Sequence, residues 1–586
     1  MLGKIISIDN NKVIVKLDIN VYETNNLMGK NVVFKDNNVS VIGEIISVNN
    51  NVMTVSLLGE IQEDKFIYGD ITKPSFNSKC RIITNKELDV IFNNNADNNM
   101  IIGKSFIYND YDIKLDINTF FSNHFAILGN TGSGKSYSVA KIIQSIFYNY
   151  KYLPFRTNIF LFDAYGEYQQ AFSKIGETNE NINYKVYTTD LKSKKYDLLQ
   201  IPFWLLTLDD ICLLLNVDNP LQIPIIEKSL KLVSYFARND EQVIKQKNDI
   251  IARCLLDIIY SGSKPIEIRN KIISTLTKFY TNNINLDLKL TKGGWTRTLK
   301  QCIFIEPSGK LADIEIVISY LESLTSNNFE LSMPNGEIKY TINDFYNALE
   351  FAIISEGAIN SNNIFEYSNT LKIRLNSIIN SDYVNYFNFN EYINKENYIK
   401  WLLTTKGGKK AQVINFNINY VDDRFAKTLV KIYSKLLFDY ITKLNKRASF
   451  PFHIILEEAH RYVQNDNDIN ILGYNIFERI TKEGRKYGIL LGLISQRPSE
   501  ISQTALSQCS NFLIFKMFHP ADLNIVKDII ASTSDSLSDK LKTLHPGTCI
   551  MFGNAFKMPI IAKLDMPNPE PLSSNCNINE TWYIKN

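Results

Sequence analysis

The sequence predicts an α/β protein: a parallel sheet covered by helices on both faces, with a small β-barrel ahead of it and a helical insertion within it. Three observations carry this prediction. In the second and last quarters of the chain, short apolar runs of strand length alternate with amphipathic segments of helix length, the pattern of a parallel sheet. Residues 1 to about 95 read instead as consecutive short β-branched runs between Asn- and Gly-containing turns. From about 200 to 400, apolar residues recur at three-to-four spacing, as in Ile225-Ile-Glu-Lys-Ser-Leu-Lys-Leu-Val and Ile250-Ile-Ala-Arg-Cys-Leu-Leu.

Taken in order, Val13-Ile-Val-Lys-Leu, Val32-Val-Phe and Val52-Met-Thr-Val-Ser-Leu are the strands of the first module. Within it Gly3-Lys-Ile-Ile-Ser-Ile and Gly43-Glu-Ile-Ile-Ser-Val resemble each other, which implies two related turns of a barrel. Phe125-Ala-Ile-Leu and Ile159-Phe-Leu-Phe-Asp163 begin the sheet of the core, in 96–200. The helical insertion follows over 201–400, with polar Asn/Ser stretches near 281–286 and 359–363 between its helices. Strands return over 401–565 at Ala411-Gln-Val-Ile-Asn-Phe, His453-Ile-Ile-Leu, Ile489-Leu-Leu-Gly-Leu-Ile and Phe512-Leu-Ile-Phe, then past His545-Pro-Gly547. Residues 566–586 are polar and rich in Pro and Asn, the composition of an arm. A chain of 586 residues is too long for one core, and about two to four domains are expected.

Composition excludes several classes. Hydrophobic residues at 45% and charged residues at 21% are globular values, and a net charge of +3 carries no nucleic-acid signature. A ring can nevertheless keep its basic residues inside a channel. The seven cysteines include no C-x-x-C pair, which argues against a disulfide framework or structural zinc. The five histidines show no metal-binding grouping, so no metal is implied beyond an ion brought with nucleotide. With neither a signal-peptide pattern nor an apolar run of about eighteen residues, a soluble cytoplasmic protein is expected.

Chemistry concentrates at Gly129-Asn-Thr-Gly-Ser-Gly-Lys-Ser136, a full G-x-x-x-x-G-K-[ST] pattern between a strand and a helix. Small residues there let successive N–H groups surround phosphate oxygens at the positive end of the helix. Asn130, Thr131, Gly132, Ser133, Gly134, Lys135, Ser136 and Tyr137 are therefore expected to hold ATP. Lys135 should reach the β- and γ-phosphates, and the Ser136 hydroxyl should coordinate Mg2+. A second apolar strand ends in Glu457-Glu458, which delivers carboxylates to the same edge. Glu457 is expected to meet Mg2+ through water, and Glu458 to polarise the attacking water.

Gln496 follows the strand at Ile489 and can both donate and accept beside the γ-phosphate; the bland reading is a polar turn. Arg485, in Glu483-Gly-Arg-Lys-Tyr-Gly488, suits an arginine finger for a neighbouring subunit, against a solvated surface arginine. Asp163-Ala-Tyr-Gly166-Glu167-Tyr168 could serve the nucleotide site, a subunit contact or only a turn. Lys192, Lys194 and Lys195, and Lys406, Lys409 and Lys410, form basic loops that could neutralise DNA phosphates or merely confer solubility.

With these motifs in place, the chain resembles HerA-type DNA translocases of the FtsK/HerA group of P-loop ATPases over nearly its whole length. The likeness rests on the N-terminal barrel, His124–Ser136, Asp163–Tyr168, Pro202-Phe-Trp-Leu-Leu206, Leu456–His460, Glu483–Gly488 with Ser495-Gln-Arg-Pro498, and Leu544-His-Pro-Gly547. It implies a RecA-like core, a homo-hexameric ring driven by ATP, and duplex DNA passing through its centre. It also implies a partner at the barrel: a nuclease in DNA-end processing, or a nuclease or sirtuin-like NAD-consuming effector in antiphage defence. By motif, Lys135, Glu458, Gln496 and Arg485 take the roles given above. Two positions depart from the family: Glu457 stands where Asp is commoner, and Asn123 where relatives often carry a basic residue. A second reading is an ATP-binding ring scaffold that activates an effector without sustained translocation.

Overall fold

The structure is a computed structural model and describes residues 1–18, 27–36, 39–69, 72–92, 99–108, 111–148, 153–177, 179–326, 330–334, 336–359, 362–529, 535–573 and 577–583. Cys576 and residues 360–361 of the second polar stretch lie outside these.

The N-terminal module is a barrel. Strands Lys12–Leu17, Gly3–Asp9, Lys79–Ile82, Asn31–Lys35, Ser40–Asn49 and Val52–Gln62 pair antiparallel in that order, and the last closes back on the first. Alternation decides which side chains face in: Val13, Val15 and Leu17 are buried while their neighbours face out. Val52–Gln62 is long enough to serve two partners. Its first half pairs with Lys12–Leu17, and its second half carries the outlying strand Lys65–Tyr68. The internal repeat has a structural meaning. Both copies break register at the same place, between Ile5 and Ser7 in one and between Ile45 and Ser47 in the other. Such a bulge bends a strand and increases its twist, as closing a small barrel requires.

The core is a twelve-stranded sheet among the described residues. Its strands are β1 (Asn99–Ser105), β2 (Asp112–Asp116), β3 (Phe125–Leu128), β4 (Ile159–Asp163), β5 (Tyr184–Thr188), β6 (Asp197–Leu198), β7 (Val413–Asn417), β8 (Phe452–Leu456), β9 (Ile489–Ser495), β10 (Asn511–Phe515), β11 (Thr548–Gly553) and β12 (Ile560–Leu564). The order is β6-β5-β7-β4-β8-β9-β3-β10-β11-β12-β1-β2, parallel from β6 to β10 and antiparallel beyond. All the parallel strands therefore end at one edge, where ligands of such sheets bind.

Both faces of the parallel strands are covered, which is why those strands read as unbroken apolar runs. Ile127, Leu161, Ile455 and Ile494 pack on one side with Val139, Ile142 and Ile143 of α1 (Lys135–Phe147). Phe160, Phe162, Ile454 and Leu456 pack on the other with Leu429, Tyr433 and Leu437 of α2 (Asp423–Thr442). Each such burial contributes about 1.5–3 kcal/mol against chain entropy. Asp422 caps α2, its carboxylate accepting from the Phe425 N–H at 2.9 Å.

Between β6 and β7 the chain leaves the sheet and forms the helical insertion, from Leu208–Leu214 to Lys395–Leu402, with one hairpin, Lys289–Lys292 and Trp295–Thr298. The six described cysteines are buried free thiols. No helix among the described residues is long and apolar enough to cross a membrane.

Candidate nucleotide site

The β3 strand is fully buried and delivers Gly129 to the edge where the parallel strands end. The loop that follows is tied to its surroundings: Gly129 N–H donates to Ser495 O at 3.2 Å, Asn130 N–H to Lys516 O at 2.9 Å, and Gly547 N–H to Ser133 O at 2.9 Å. Gly134, the N-cap of α1, has φ 105°, and a Cβ there would lie 2.8 Å from Gly547 N. Only glycine meets both conditions. The first N–H groups of α1 and the Lys135 ammonium thus converge on one concave surface. Lys135 is buried and donates to Asn130 O at 2.9 Å. Burial lowers its pKa, and Glu458, Glu457 and Glu167 oppose the change.

Glu458 lies at the tip of β8 in the left-handed region, φ 50° and ψ 47°. A non-glycine residue held there costs roughly 1–3 kcal/mol and is typical of functional turns. The turn points its carboxylate toward Lys135 and the Gln496 N–H; burial pushes its pKa up while Lys135 and Arg461 pull it down. His460 Nδ1 lies 3.2 Å from Glu458 Oε2 and 3.1 Å from Ser495 Oγ. The hydroxyl takes the hydrogen bond, so Glu458 Oε2 stays unpaired. Gln496 ends β9 and accepts from the Thr131 hydroxyl, which joins the strand tip to the phosphate loop.

The Asp163–Tyr168 turn is part of the same cluster. Asp163 accepts from the N–H groups of Glu167 and Tyr168, each at 2.9 Å, and from Asn415 Nδ2 at 3.0 Å. Glu457 Oε2 accepts from Ala164 N–H at 3.1 Å, and its carboxyl hydrogen-bonds Asp163. Burial and the neighbouring acids hold Glu457 well above the usual carboxylate range. Asp163 is raised by burial too, while its donors, Glu457 among them, favour its charged form. Burial pushes the Glu167 carboxyl up, and the nearby Ser136 and Ser573 oppose the change. Burial raises the pKa of Tyr137, and Glu570 of the C-terminal segment adds to the rise.

Three buried oxygens at this edge have no protein partner: Ser133 Oγ, Glu167 Oε2 and Glu458 Oε2. They fit a nucleotide with its divalent ion. Lys135 and the α1 amides would hold the phosphates, and Ser136 the Mg2+. Bound Mg2+ would neutralise charge on the β- and γ-phosphate oxygens.

Arg485 is elsewhere. It is exposed at the start of β9, at the opposite end of the strand from Gln496, and its charge falls on His124 before β3. Burial first, then Arg485, pushes His124 down to about 4. Asn123 is buried at that same far end, its Nδ2 donating to Thr119 O at 2.8 Å. The two basic loops meet at a third place, the β5–β6 edge. There Lys406 Nζ lies 2.9 Å from Asp197, and Lys185, Lys195, Tyr196 and Lys406 line a cleft of about 480 Å³. Lys410 instead turns inward to Phe155 O at 3.3 Å.

Sequence reasoning left the Leu572–Glu167 hydrogen bond and the Glu457–Asp163 pair undetected, because each joins segments far apart in the chain. The approach of Asp163 to Glu457 could have been anticipated only from strand order.

A strand–loop–helix phosphate loop with a buried lysine and a buried glutamate at the end of a parallel sheet defines a P-loop ATPase. A family model described as the central domain of the helicase HerA matches residues 100–301. The DNA double-strand break repair helicase HerA of Sulfurisphaera tokodaii is 23% identical over 514 residues, 87% of this chain and 77% of that one. HerA of Pyrococcus furiosus is 22% identical over 527 residues, 89% and 79% of the two chains. A probable HerA of Methanocaldococcus jannaschii is 23% identical over 541 residues, 92% and 90%. Among solved structures, the plasmid coupling protein TrwB with an ATP analogue superposes with a TM-score of 0.42 and 12% identity, covering 84% of this chain and 95% of that one. The chain is thus similar to HerA helicases over most of its length, and its residues 100–301 match the model of their central domain.

Proposed function

We propose that this chain is an ATP-driven duplex-DNA translocase that works as a hexameric ring beside a nuclease or other effector, in DNA-end processing or antiphage defence. The observation that carries the reading is the separation of Arg485 from the phosphate loop of its own chain. Lys135, Ser136, Glu458 and Gln496 gather at one end of the sheet and Arg485 stands at the other, so a complete site needs two subunits placed head to tail. In that arrangement Glu458 polarises the water, Lys135 follows the transferred phosphoryl charge, and Gln496 reports its loss through Thr131. The curated relatives are named as DNA repair helicases, which favours DNA as the polymer. The cleft that unites Lys195 with Lys406 is our candidate for phosphate contact. For the effector, the support is the family likeness and a barrel whose junction with the core exposes Met28 and Phe106.

The test is the ATP hydrolysis rate with and without linear duplex DNA, using Glu458→Gln as the blank. Stimulation by DNA that vanishes in the variant supports the motor. Hydrolysis indifferent to DNA favours a ring scaffold that activates its effector without sustained translocation.

A further inference from the structure

We propose that His460 is a positioning residue for Glu458: its Nδ1–H is shared between Ser495 at the tip of β9 and the acid, so the strand tip governs how the acid is held. The inference rests on the ATPase reading of the site and deepens it by naming what couples Gln496 to Glu458.

The geometry is that of one donor between two acceptors. His460 Nδ1 lies 3.1 Å from Ser495 Oγ and 3.2 Å from Glu458 Oε2. All three residues are buried, and Glu458 Oε2 is left without a hydrogen bond. A nitrogen lone pair facing a carboxylate oxygen so closely would be repelled, so Nδ1 carries a hydrogen and the ring donates there. That nitrogen has one hydrogen to give, and the Ser495 hydroxyl holds it. A carboxylate that takes a proton from water needs one oxygen aimed at the water, and a donor on its other oxygen fixes that aim.

The backbone sets up this competition. Glu458 sits at φ 50°, and its carbonyl accepts from Arg461 N–H at 2.8 Å, closing the short turn Ala459–Arg461 on which His460 lies. Ser495 is tied to the phosphate loop, its carbonyl accepting from Gly129 N–H at 3.2 Å. Its hydroxyl also accepts from Arg497 N–H at 3.0 Å, across Gln496, the residue that meets Thr131. A shift of Gln496 with the phosphate loop therefore carries Ser495 Oγ relative to the ring. The ring has space to respond, because His460 also lines a cleft of about 580 Å³ with Lys427 of α2 and with Leu213 and Asn216 of the insertion.

The experiment measures steady-state ATP turnover and melting temperature of the full chain, with and without linear duplex DNA. Asn at 460 places an amide nitrogen where imidazole Nδ1 stands, whereas Gln places it one bond further out. A hydrogen bond to a charged group is worth about tenfold or more. We expect His460→Gln and His460→Ala to lose about tenfold or more in kcat with KM within about twofold, and His460→Asn to recover most of that loss. Ser495→Ala removes the competing acceptor, so turnover without DNA should rise about threefold, the worth of a neutral hydrogen bond. A residue that only fills space would give Asn and Gln variants of equal rate. That equality, wild-type kcat in His460→Gln, or no rise in a normally melting Ser495→Ala would overturn the proposal alone, provided Glu458→Gln still silences the chain. Turnover that survives Glu458→Gln, or none in the unaltered chain, would overturn the ATPase reading and the proposal with it.

Discussion

Replacing Arg485 with alanine separates a finger that acts between subunits from a residue that acts in its own. The β9 strand has seven residues between Arg485 and Gln496, and at about 3.3 Å per residue its ends stand roughly 20 Å apart. No arginine side chain spans that distance, so within one chain the substitution leaves the phosphate loop untouched. Nucleotide affinity should stay within about twofold of wild type, while hydrolysis falls by roughly a thousandfold or more, as for other arginine fingers. Mixing then decides the geometry. In rings assembled from equal amounts of Arg485→Ala and Glu458→Gln chains, an interface works only where an intact acid meets an intact arginine. Random head-to-tail assembly makes about one interface in four of this kind. The assay is ATP turnover of the two inactive variants alone and after co-assembly. Recovery toward a quarter of the wild-type rate supports the arrangement between subunits. A mixture no faster than its parents, or Arg485→Ala turning over normally, would refute it.

Other outcomes follow from the same geometry. Gly134→Ala places a Cβ 2.8 Å from Gly547 N at φ 105°; with about 1–3 kcal/mol of backbone strain, ATP affinity by titration calorimetry should fall tenfold or more. Neutralising Lys192, Lys194, Lys195 and Lys406 together should flatten the salt dependence of duplex binding by about 0.9 in log–log slope for each phosphate the four lysines had neutralised. An unchanged slope would remove that cleft from the DNA path. Glu458 must be unprotonated to polarise water, and burial raises its pKa. The acidic limb of kcat should therefore fall off at a higher pH than an ordinary glutamate would give, and should shift again in Glu458→Asp. A limb at the ordinary glutamate position would count against its role.

What could be read from the chain was whatever sits in consecutive residues. The phosphate loop, the strand before it and the helix after it are contiguous, and so are Glu457-Glu458 and the barrel repeat, whose shared bulge explains why Gly3–Ile8 and Gly43–Val48 look alike. β5, Tyr-Lys-Val-Tyr-Thr, escaped notice because its aromatic and charged residues make no apolar run, although Tyr187 is fully buried and Lys185 is covered by Trp401. β1 and β2, the last two strands at the antiparallel end of the sheet, were hidden for a similar reason, their apolar residues being interrupted by polar and charged ones. The end of the sheet on which Arg485 falls could not be judged until strand direction was known. The Leu572 N–H that donates to Glu167 O joins segments about 400 residues apart, and no local pattern in the C-terminal segment announces that it crosses there.

The barrel and the phosphate loop are mechanically closer than their separation in sequence implies. Helix Asp535–Thr543 carries Lys540, whose ammonium lies 2.9 Å from Glu44 of the barrel, on the repeated strand just before its bulge. A few residues later the same stretch reaches Gly547, which donates to Ser133 of the phosphate loop and accepts from Leu564 of β12. Gly547 sits at φ 77° and lies so close to Gly134 that a side chain at Gly134 would displace it. A phosphate loop that adjusts to its ligand must therefore move Gly547 or be restrained by it, and Gly547 is joined to the barrel through a single short helix. The Lys540–Glu44 pair is half-exposed, and such pairs contribute about 1 kcal/mol or less to stability. Its energy is too small to explain the fold, so its consequence lies in where it attaches: it ties the barrel to the stretch that leads to Gly547 and the phosphate loop.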